Sequence, residues 1–217
     1  MDGKVKILIA DDHPIFREGI VKNVGQDPNY EIVAQCGEGI EVIGKIKELN
    51  PDIAIIDISM PGMSGLEVVR KSLEEKLSVD FIILTMYKDE EYFNEALGLG
   101  VMGYLLKDNA VKDLLNCLRV VSQGNHFICP ELSNLLIGRN ARMQSLLHKN
   151  PGLADLTPSE KKILSLIGQN KTSKEIADEL FVSVRTVQNH RNNIARKLDL
   201  KGHHKLLQFA IQNKAYL

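Results

Sequence analysis

The first 125 residues alternate between short apolar runs and stretches whose apolar positions recur at helical spacing. The apolar runs predict five β-strands, at Val5–Ala10, Tyr30–Cys36, Ile53–Ile58, Phe81–Thr85 and Val101–Leu106. The helical stretches predict five helices, at Pro14–Val24, Gly39–Leu49, Leu66–Leu73, Asp89–Leu99 and Val111–Ser122. Strands that are apolar throughout and alternate with helices are typical of a parallel sheet covered on both faces. The pattern therefore predicts an α/β domain built from five βα units.

Polar side chains follow or end four of the five predicted strands. Asp11 and Asp12 follow the first strand, Asp57 and Thr85 lie at the ends of the third and fourth, and Lys107 follows the fifth. Ligands of such sheets bind outside the carboxyl ends of the strands, so these side chains share one edge. Converging carboxylates favour a hard cation such as Mg²⁺, beside which Asp57 can act as a nucleophile toward a phosphoryl group. Each residue alone also fits a helix cap, a strand end or a solvated position.

The remainder of the chain carries helix-start signals and no sheet pattern. Apolar positions within residues 131–147 predict a partly helical connector, and residues 156–200 predict three helices. Their N-caps are Thr157, with Glu160 completing a capping box, then Thr172 or Ser173, and then Ser183. Two short helices joined by a tight turn to a third, polar helix fit a helix-turn-helix.

The third of these helices presents amides and guanidinium groups on the face opposite its apolar stripe. This face consists of Arg185, Asn189, Asn192, Asn193 and Arg196, and it holds no acid. Such groups are the donors and acceptors that base edges and phosphates require. Residues 126–217 contain 14 Lys and Arg against 7 Asp and Glu, a net +7, whereas residues 1–125 contain 13 against 21, a net −8. A solvated face on a small helical bundle is the alternative interpretation.

Length and composition limit the classes of protein. A chain of 217 residues predicts one or two domains, and 44% hydrophobic and 25% charged residues are ordinary for a globular protein. No apolar run is long enough for a membrane span and no basic-then-apolar leader opens the sequence, so we expect a cytoplasmic protein. Cys36, Cys117 and Cys129 have no metal-binding or redox spacing and are predicted to be buried thiols.

Four segments of the first half resemble the receiver domain of two-component response regulators. They are "ILIADDHPIFREGI", "IIDISMPGMSGLEV", "IILT" and "GYLLKD", and the resemblance covers about residues 4–124. It implies a flavodoxin-like fold of five strands and five helices, with Asp57 as the phosphoryl acceptor. By the same resemblance Asp11, Asp12, Asp57 and the backbone carbonyl of Ser59 hold Mg²⁺. Thr85 and Lys107 then contact the phosphoryl group, and Tyr104 turns inward when Thr85 moves toward phosphate.

The second half resembles the DNA-binding domain of the LuxR/FixJ type over about residues 153–215. The matching segments are "LTPSE" at 156–160, "SKEIADEL" at 173–180, "TVQNH" at 186–190 and "KL" at 197–198. The resemblance implies four helices, of which the third, about 184–198, enters the major groove. The fourth, about 203–213, is implied to make the dimer contact through Leu206, Leu207 and Ala210, with Ile211 as a further candidate.

Contacts to DNA are predicted on the helix-turn-helix. The family usually has lysine where this chain has Gln188, and glutamine suits bidentate pairing with adenine. We therefore expect Gln188, Asn189 and Asn192 to read bases. Phosphate contacts are assigned to Lys174, Arg185, Arg191 and Arg196, and Thr186 is included in the interface. His190 lies at the edge of the apolar face. Packing against the core and a contact with a phosphate are two equal interpretations of its role.

Together the two resemblances give the layout of the NarL/FixJ subfamily of response regulators. The expected organisation is a receiver at 1–125, a partly helical linker at 126–152 and an all-α helix-turn-helix domain at 153–217. The implied partners are a cognate sensor histidine kinase, double-stranded promoter DNA and a second copy when phosphorylated or on DNA, with no membrane. The implied chemistry is confined to the receiver's own phosphorylation and dephosphorylation. The alternatives are an orphan regulator that binds DNA without phosphorylation and an Mg²⁺-dependent aspartyl-phosphate phosphotransferase.

Overall fold

The structure is a computed structural model, which describes residues 3–202 and 204–214. The chain divides into two compact units, Met1–Leu135 and Leu136–Leu217.

The first unit is built on a parallel β-sheet. Its strands are β1 (Val5–Ala10), β2 (Tyr30–Cys36), β3 (Ile53–Asp57), β4 (Asp80–Thr85), β5 (Gly103–Leu106) and β6 (Phe127–Ile128). Its helices are α1 (Pro14–Val24), α2 (Gly39–Leu49), α3 (Gly65–Glu74), α4 (Glu90–Gly98) and α5 (Lys107–Ser122). The strand order is β2-β1-β3-β4-β5-β6, so the direction of winding reverses between β1 and β3. In such sheets, this reversal opens a crevice at the carboxyl ends of the strands.

The sheet has six strands, whereas the sequence predicted five. Strand β6 pairs in parallel with β5, through hydrogen bonds from Phe127 N to Met102 O (2.8 Å) and from Cys129 N to Tyr104 O (3.1 Å). The prediction that residues 126–150 hold no strand was therefore wrong. A strand of two residues is too short to show a period-2 pattern, and only its partner strand makes it recognisable.

The core of the first unit lies on both faces of the central strands. Every residue of β3 and β5 is buried, and so are the last four residues of β1. All three cysteines are free and buried, as predicted. Burial raises the pKa of Cys36 and of Cys117 to about 12, so both are neutral thiols at pH 7.

The second unit is helical. Its helices are α7 (Pro158–Gly168), α8 (Ser173–Glu179), α9 (Val184–Lys197) and α10 (Lys205–Gln212), and helix α6 (Ser133–Lys149) contains the division between the units. The N-caps of α7, α8 and α9 are Thr157, Thr172 and Ser183, each of which accepts a backbone hydrogen bond through its side chain. The four helices predicted for this part of the chain are therefore present, although His203, at the predicted start of the last one, lies outside the described residues.

The C-terminal end of α9 is fixed to the segment that precedes α7. A Cβ atom added to Gly152 would lie 1.8 Å from the carbonyl oxygen of Lys197, so only glycine permits this approach. The ammonium group of Lys197 donates to the carbonyl oxygen of Asp155 at 2.9 Å and to the carboxylate of Glu160 at 2.7 Å. Glu160 is buried and also accepts a hydrogen bond from the backbone N–H of Thr157. These bonds set the position of α9 relative to α7.

The hydrogen bond from Lys197, followed by that from Thr157, holds the pKa of Glu160 below its ordinary value. A carboxylate with a lowered pKa stabilises the folded state above the pKa of the unfolded chain, about 4.3 for Glu, and this contribution is lost as the pH falls through the folded-state pKa. We expect Glu160→Gln to lower the free energy of unfolding of the second unit by about 1–2 kcal/mol at pH 7. Hydrogen exchange of the α7 and α9 amides measures this quantity in the whole chain.

Glu175→Gln is the matched control, because Glu175 makes the same capping-box bonds to Thr172 on an exposed surface. It should change the free energy of unfolding less than Glu160→Gln, because the glutamine oxygen still accepts the capping-box bond and no buried ion pair is lost. The difference between wild type and Glu160→Gln should shrink as the pH is lowered below about 4. A difference that persists unchanged there would contradict the role given to the ionised carboxylate.

Candidate functional site

The register of the sheet brings the predicted polar residues together at its carboxyl edge. Ala10 of β1 lies beside Ile56 of β3, so Asp11 and Asp57 follow at the same level. Thr85, the last residue of β4, lies beside Leu106 of β5, and Lys107 follows directly as the first residue of α5. The side chains of Asp11, Asp57, Thr85 and Lys107 are all buried.

Helix α5 begins at Lys107, four residues before the predicted start at Val111. The sequence pattern predicts that Lys107 lies after the strand and before the helix. It misses the true start of α5 because no turn or cap residue separates the apolar strand from the helix here. The described residues contain no cis peptide bond, so the bond after Lys107 is trans.

The ammonium group of Lys107 lies between two buried carboxylates. Its Nζ atom is 2.8 Å from Oδ2 of Asp57, to which it donates a hydrogen bond, and 2.8 Å from Oδ2 of Asp11. The second contact is an ion pair of the same length, so a single ammonium group serves both carboxylates. The ring of Phe16 on α1 covers the ammonium group, with 4.9 Å between Nζ and the ring centroid.

The protonation of this pair follows from burial and charge. Burial raises the pKa of Asp57 and outweighs the hydrogen bond from Lys107, while the neighbouring charge of Asp11 also acts to raise it. Burial acts to lower the pKa of Lys107, but its contacts with Asp11 and Asp57 outweigh burial and raise it. Both shifts favour the protonated form of each group, so the contacts stabilise the cation of Lys107, and the carboxylate of Asp57 is more basic than an exposed one.

Four side chains at this edge could hold a metal ion. One ligand atom from each of Asp11, Asp12, His13 and Asp57 lies within 4.8 Å of the others. The carboxylate oxygens match the preference of Mg²⁺, and three carboxylates against one lysine leave negative charge that a cation would neutralise. The residues present therefore fit Mg²⁺. Ser59 lies two residues after Asp57 and donates its backbone N–H to that carboxylate, while the ligand role of its carbonyl stays a prediction.

The loop after β3 is shaped by two glycines. Gly62 has φ +75°, and a Cβ atom on Gly65 would lie 2.2 Å from the carbonyl oxygen of Asp57. Gly65 also donates its N–H to the carbonyl oxygen of Ile58 at 2.9 Å, and Ser64 caps α3 in a capping box with Glu67. The chain therefore turns back tightly after Asp57, and the N-terminus of α3 lies next to the end of β3.

The two residues with a predicted switch role lie on neighbouring strands. The hydroxyl of Thr85 accepts a hydrogen bond from the backbone N–H of Tyr87 at 3.1 Å. The ring of Tyr104 is buried and packs edge-on against Phe93, with 5.2 Å between centroids. Its hydroxyl is buried without a hydrogen-bond partner, and burial raises its pKa. The inward position of Tyr104 is thus available to this chain, and its coupling to phosphorylation stays a prediction.

Two residues of α1 that the sequence pattern did not single out also belong to this site. Phe16 covers Lys107, and the guanidinium group of Arg17 donates to the backbone carbonyl of Asp11. Both residues lie about one helical turn after the acidic pair, and α1 begins at Pro14. The available signal was the position of this helix start, because residues in the first turn of α1 necessarily lie near the end of β1.

The second group of predicted residues lies on α8 and α9. Lys174, Arg185, Gln188, Asn189, Asn192 and Arg196 are exposed. Thr186 and Arg191 are half-buried, and burial lowers the pKa of Arg191. The hydroxyl of Thr186 lies 2.8 Å from that of Ser183, so this side chain contributes to the cap of α9. Most of the predicted DNA face is therefore free for a ligand, with Arg191 and Thr186 partly withdrawn.

The predicted dimer residues on α10 differ in how far they are buried. Leu206 and Ala210 are buried in the core of the second unit, and Leu207 packs partly against it. A Cβ atom on Gly168 of α7 would lie 2.9 Å from the carbonyl oxygen of Ala210, which shows how closely the two helices pack. The apolar face of this short helix is needed by the unit's own small core. Ile211, half of whose surface is exposed, and Leu207 are the apolar side chains of α10 that remain accessible.

Two family models match different halves of the chain. Residues 7–119 match the response regulator receiver domain, and residues 154–210 match the bacterial regulatory proteins of the luxR family. The chain belongs to the response regulators. The resemblance and the fold class drawn from the sequence are confirmed by these matches, apart from the extra strand β6.

Similar proteins cover this response regulator along almost its whole length. The oxygen regulatory proteins NreC of Staphylococcus carnosus (strain TM300) and Staphylococcus haemolyticus (strain JCSC1435) are each 37% identical over 213 residues, covering 97% of this chain and 98% of theirs. The RcsB response regulator of Salmonella typhimurium superposes with a TM-score of 0.60 at 26% identity, covering 95% of this chain and 98% of the other. RcsB in a complex with DNA superposes with a TM-score of 0.58 at 27% identity and the same coverage. Among the described residues, no helix has the length and apolarity that crossing a bilayer requires.

The raised pKa of Asp57 means that its charged form opposes folding at pH 7. In the presence of EDTA, we expect Asp57→Asn to raise the melting temperature of the first unit, because the neutral amide avoids the cost of the buried charge. Asp12→Asn, at an exposed carboxylate of the same cluster, should change it by less than about 1 °C. Adding Mg²⁺ should then raise the melting temperature of the wild type more than that of Asp57→Asn. A lower melting temperature of Asp57→Asn in EDTA would contradict the destabilising effect assigned to the buried charge.

Proposed function

We propose that this response regulator controls transcription through phosphorylation of Asp57 by a sensor histidine kinase. The observation that carries the proposal is the buried Asp57 carboxylate at the sheet edge, held by Lys107 beside Asp11. A carboxylate of raised basicity at the open edge of a sheet is a suitable nucleophile, and the neighbouring ammonium group is a suitable partner for a phosphoryl oxygen. This arrangement would have little structural purpose without a ligand, because burying two acids against one lysine leaves negative charge uncompensated.

The phosphoryl transfer follows from these positions. An oxygen of Asp57 attacks the phosphorus of a phosphohistidine, the O–P bond forms as the N–P bond breaks, and the imidazole leaves. Asp11, Asp12, Asp57 and the Ser59 carbonyl would hold Mg²⁺, which when bound would neutralise charge on the transferring group. Lys107 moves its ion pair from the carboxylates to a phosphoryl oxygen, and the hydroxyl of Thr85 donates to another. That donation turns Thr85 toward the site, and we propose that the movement reaches Tyr104 and the surface around α4 and β5.

The second unit is the proposed DNA-binding part. Helix α9 would enter the major groove with the exposed amides of Gln188, Asn189 and Asn192 toward the bases. Lys174, Arg185 and Arg196 are exposed cations for backbone phosphates, and Arg191 becomes one if its half-buried guanidinium swings outward. The solved complex of RcsB with DNA supports this assignment. The proposed boundaries are a receiver at 1–125, a linker at 126–152 that includes β6, and a DNA-binding domain at 153–217.

The proposed setting is the cytoplasm, where promoter DNA and the kinase domain of a sensor are both accessible. We propose that phosphorylation favours a homodimer, which also forms on DNA. The contact on α10 is assigned to Leu207 and Ile211, because Leu206 and Ala210 are enclosed in the core.

The first experiment measures phosphorylation directly. Full-length protein incubated with Mg²⁺ and acetyl phosphate should gain the mass of one phosphoryl group, and Asp57→Asn should gain none. Removing Mg²⁺ with EDTA should abolish the gain, because the transferring group then meets uncompensated carboxylate charge. An unmodified wild type would favour an orphan regulator, which binds DNA without phosphorylation, provided that its own kinase also fails to modify it.

A second experiment tests base readout by α9. Gln188→Ala should relax the preference at one base pair of the DNA sites selected from a random duplex library, by about tenfold. The amide of Gln188 can pair with both N6 and N7 of adenine, and alanine can make neither bond. Gln26→Ala, at an exposed glutamine of the first unit, is the control and should keep the wild-type ranking of sites. An unchanged ranking for Gln188→Ala would remove this residue from the readout.

A further inference from the structure

Phe181 has a backbone conformation that its side chain disfavours. Helix α8 ends at Glu179, and Phe181 follows two residues later with φ +54°. Its N–H bonds the carbonyl oxygen of Asp178, and the N–H of Val182 bonds that of Ala177, which together form a Schellman motif. The position that Phe181 occupies in this motif normally holds glycine or asparagine, because a Cβ atom is strained there. Glycine would therefore suit the turn of the helix-turn-helix better than phenylalanine.

The strain is not offset by packing within the second unit. The side chain of Phe181 is 96% exposed, and the neighbouring Val182 and Val184 are each 40% exposed. The other non-glycine residues with positive φ in the described part of the chain are all polar: Asn50, Lys76, Asn170 and Asp199. A bulky apolar residue that is both strained and solvent-exposed indicates a role outside the unit's own core.

Phe181 lies close in sequence to the residues of the proposed DNA face. It lies two residues before Ser183, the N-cap of α9, and four before the exposed Arg185. No acidic residue occurs between Leu180 and Leu198. The N-terminal end of a recognition helix is the part that contacts base edges, so a side chain at this turn comes close to the floor or wall of the major groove.

We infer that the ring of Phe181 contacts the 5-methyl group of a thymine in the major groove and so helps to determine the operator. This inference rests on the proposed DNA-binding function of α9. The thymine methyl group is the apolar feature that the major groove presents, and phenylalanine is one of the side chains that can read it. An aromatic ring can also stack on bases, but in an intact duplex the base faces are covered by their neighbours. The flanking Val182 and Val184 extend the apolar surface that such a contact would exclude from water.

The test removes the methyl group from the DNA and the ring from the protein. Duplexes are first selected from a random library with full-length protein treated with acetyl phosphate and Mg²⁺. Each thymine of a selected site is then replaced by deoxyuridine, which lacks only the 5-methyl group. At one thymine per half-site, the wild type should lose about fourfold in affinity, the factor expected for burying one methyl group. Phe181→Gly should bind thymine and deoxyuridine at that position equally, and should bind the selected site more weakly than the wild type.

Two controls separate recognition from folding. Phe181→Gly should not lower the melting temperature of the second unit and should raise it by about 3 °C, because glycine relieves the positive φ. Ile15→Ala removes a side chain of the first unit that is 88% exposed, and it should keep the full loss on deoxyuridine.

The outcomes distinguish this inference from the function on which it rests. If no duplex is selected above background, the proposed DNA-binding function itself fails. If sites are selected but Phe181→Gly shows the same loss as the wild type at every deoxyuridine position, the function stands and the thymine contact is overturned. A melting temperature lowered by several degrees in Phe181→Gly would also overturn it, because the ring would then be a packing residue.

Discussion

The ion pairs of Lys107 are the interaction on which the first unit depends. Strands β1 and β3 end in carboxylates that are buried next to each other, and one ammonium group at 2.8 Å from both makes this burial possible. Lys107 is itself in an unfavourable place, because it is the first residue of α5, where the helix dipole is positive. The contacts with Asp11 and Asp57 offset that cost, and the ring of Phe16 covers the remaining side of the cation. Charge interactions of Lys107 therefore connect the start of α5 to the ends of β1 and β3.

The topology of the sheet explains why Asp11, Asp57 and Lys107 lie close together. Asp11 directly follows β1 and Asp57 ends β3, on the two sides of the point where the winding direction reverses, and such a crevice is where ligands bind. Lys107 directly follows β5, one strand beyond β4, and its long side chain spans that separation. Gly65 lets the chain turn back directly behind Asp57, so that α3 does not block the edge. A shorter cation or a residue with a Cβ atom at these positions would disconnect the site from the sheet.

The sequence predicted most of the sheet and of its site, for an identifiable reason. The bounds of β1, β2, α1 and α2 agree with the prediction, because apolar runs and helix-start residues there follow local rules. The misses depend on distant contacts. Strand β6 exists only through its pairing with β5, and the early start of α5 depends on the carboxylates that face Lys107. Leu206 and Ala210 belong to an apolar stripe that is visible in the sequence. The sequence alone does not show whether a partner or the unit's own core covers that stripe.

In both units a lysine contacts a buried carboxylate, but the balance of charge around the lysine differs. In the second unit, one buried acid, Glu160, meets one lysine, Lys197, and a backbone N–H completes its bonding. That carboxylate is satisfied, its pKa is lowered, and it serves only to hold α7 and α9 together. At the edge of the sheet, Lys107 faces two buried acids, Asp11 and Asp57, with Asp12 beside them. The excess negative charge favours a bound cation, and burial keeps the carboxylate of Asp57 basic. Because the acids outnumber the lysine, this pair of strand ends is suited to the phosphoryl chemistry proposed for it, whereas the balanced pair in the helical unit is structural.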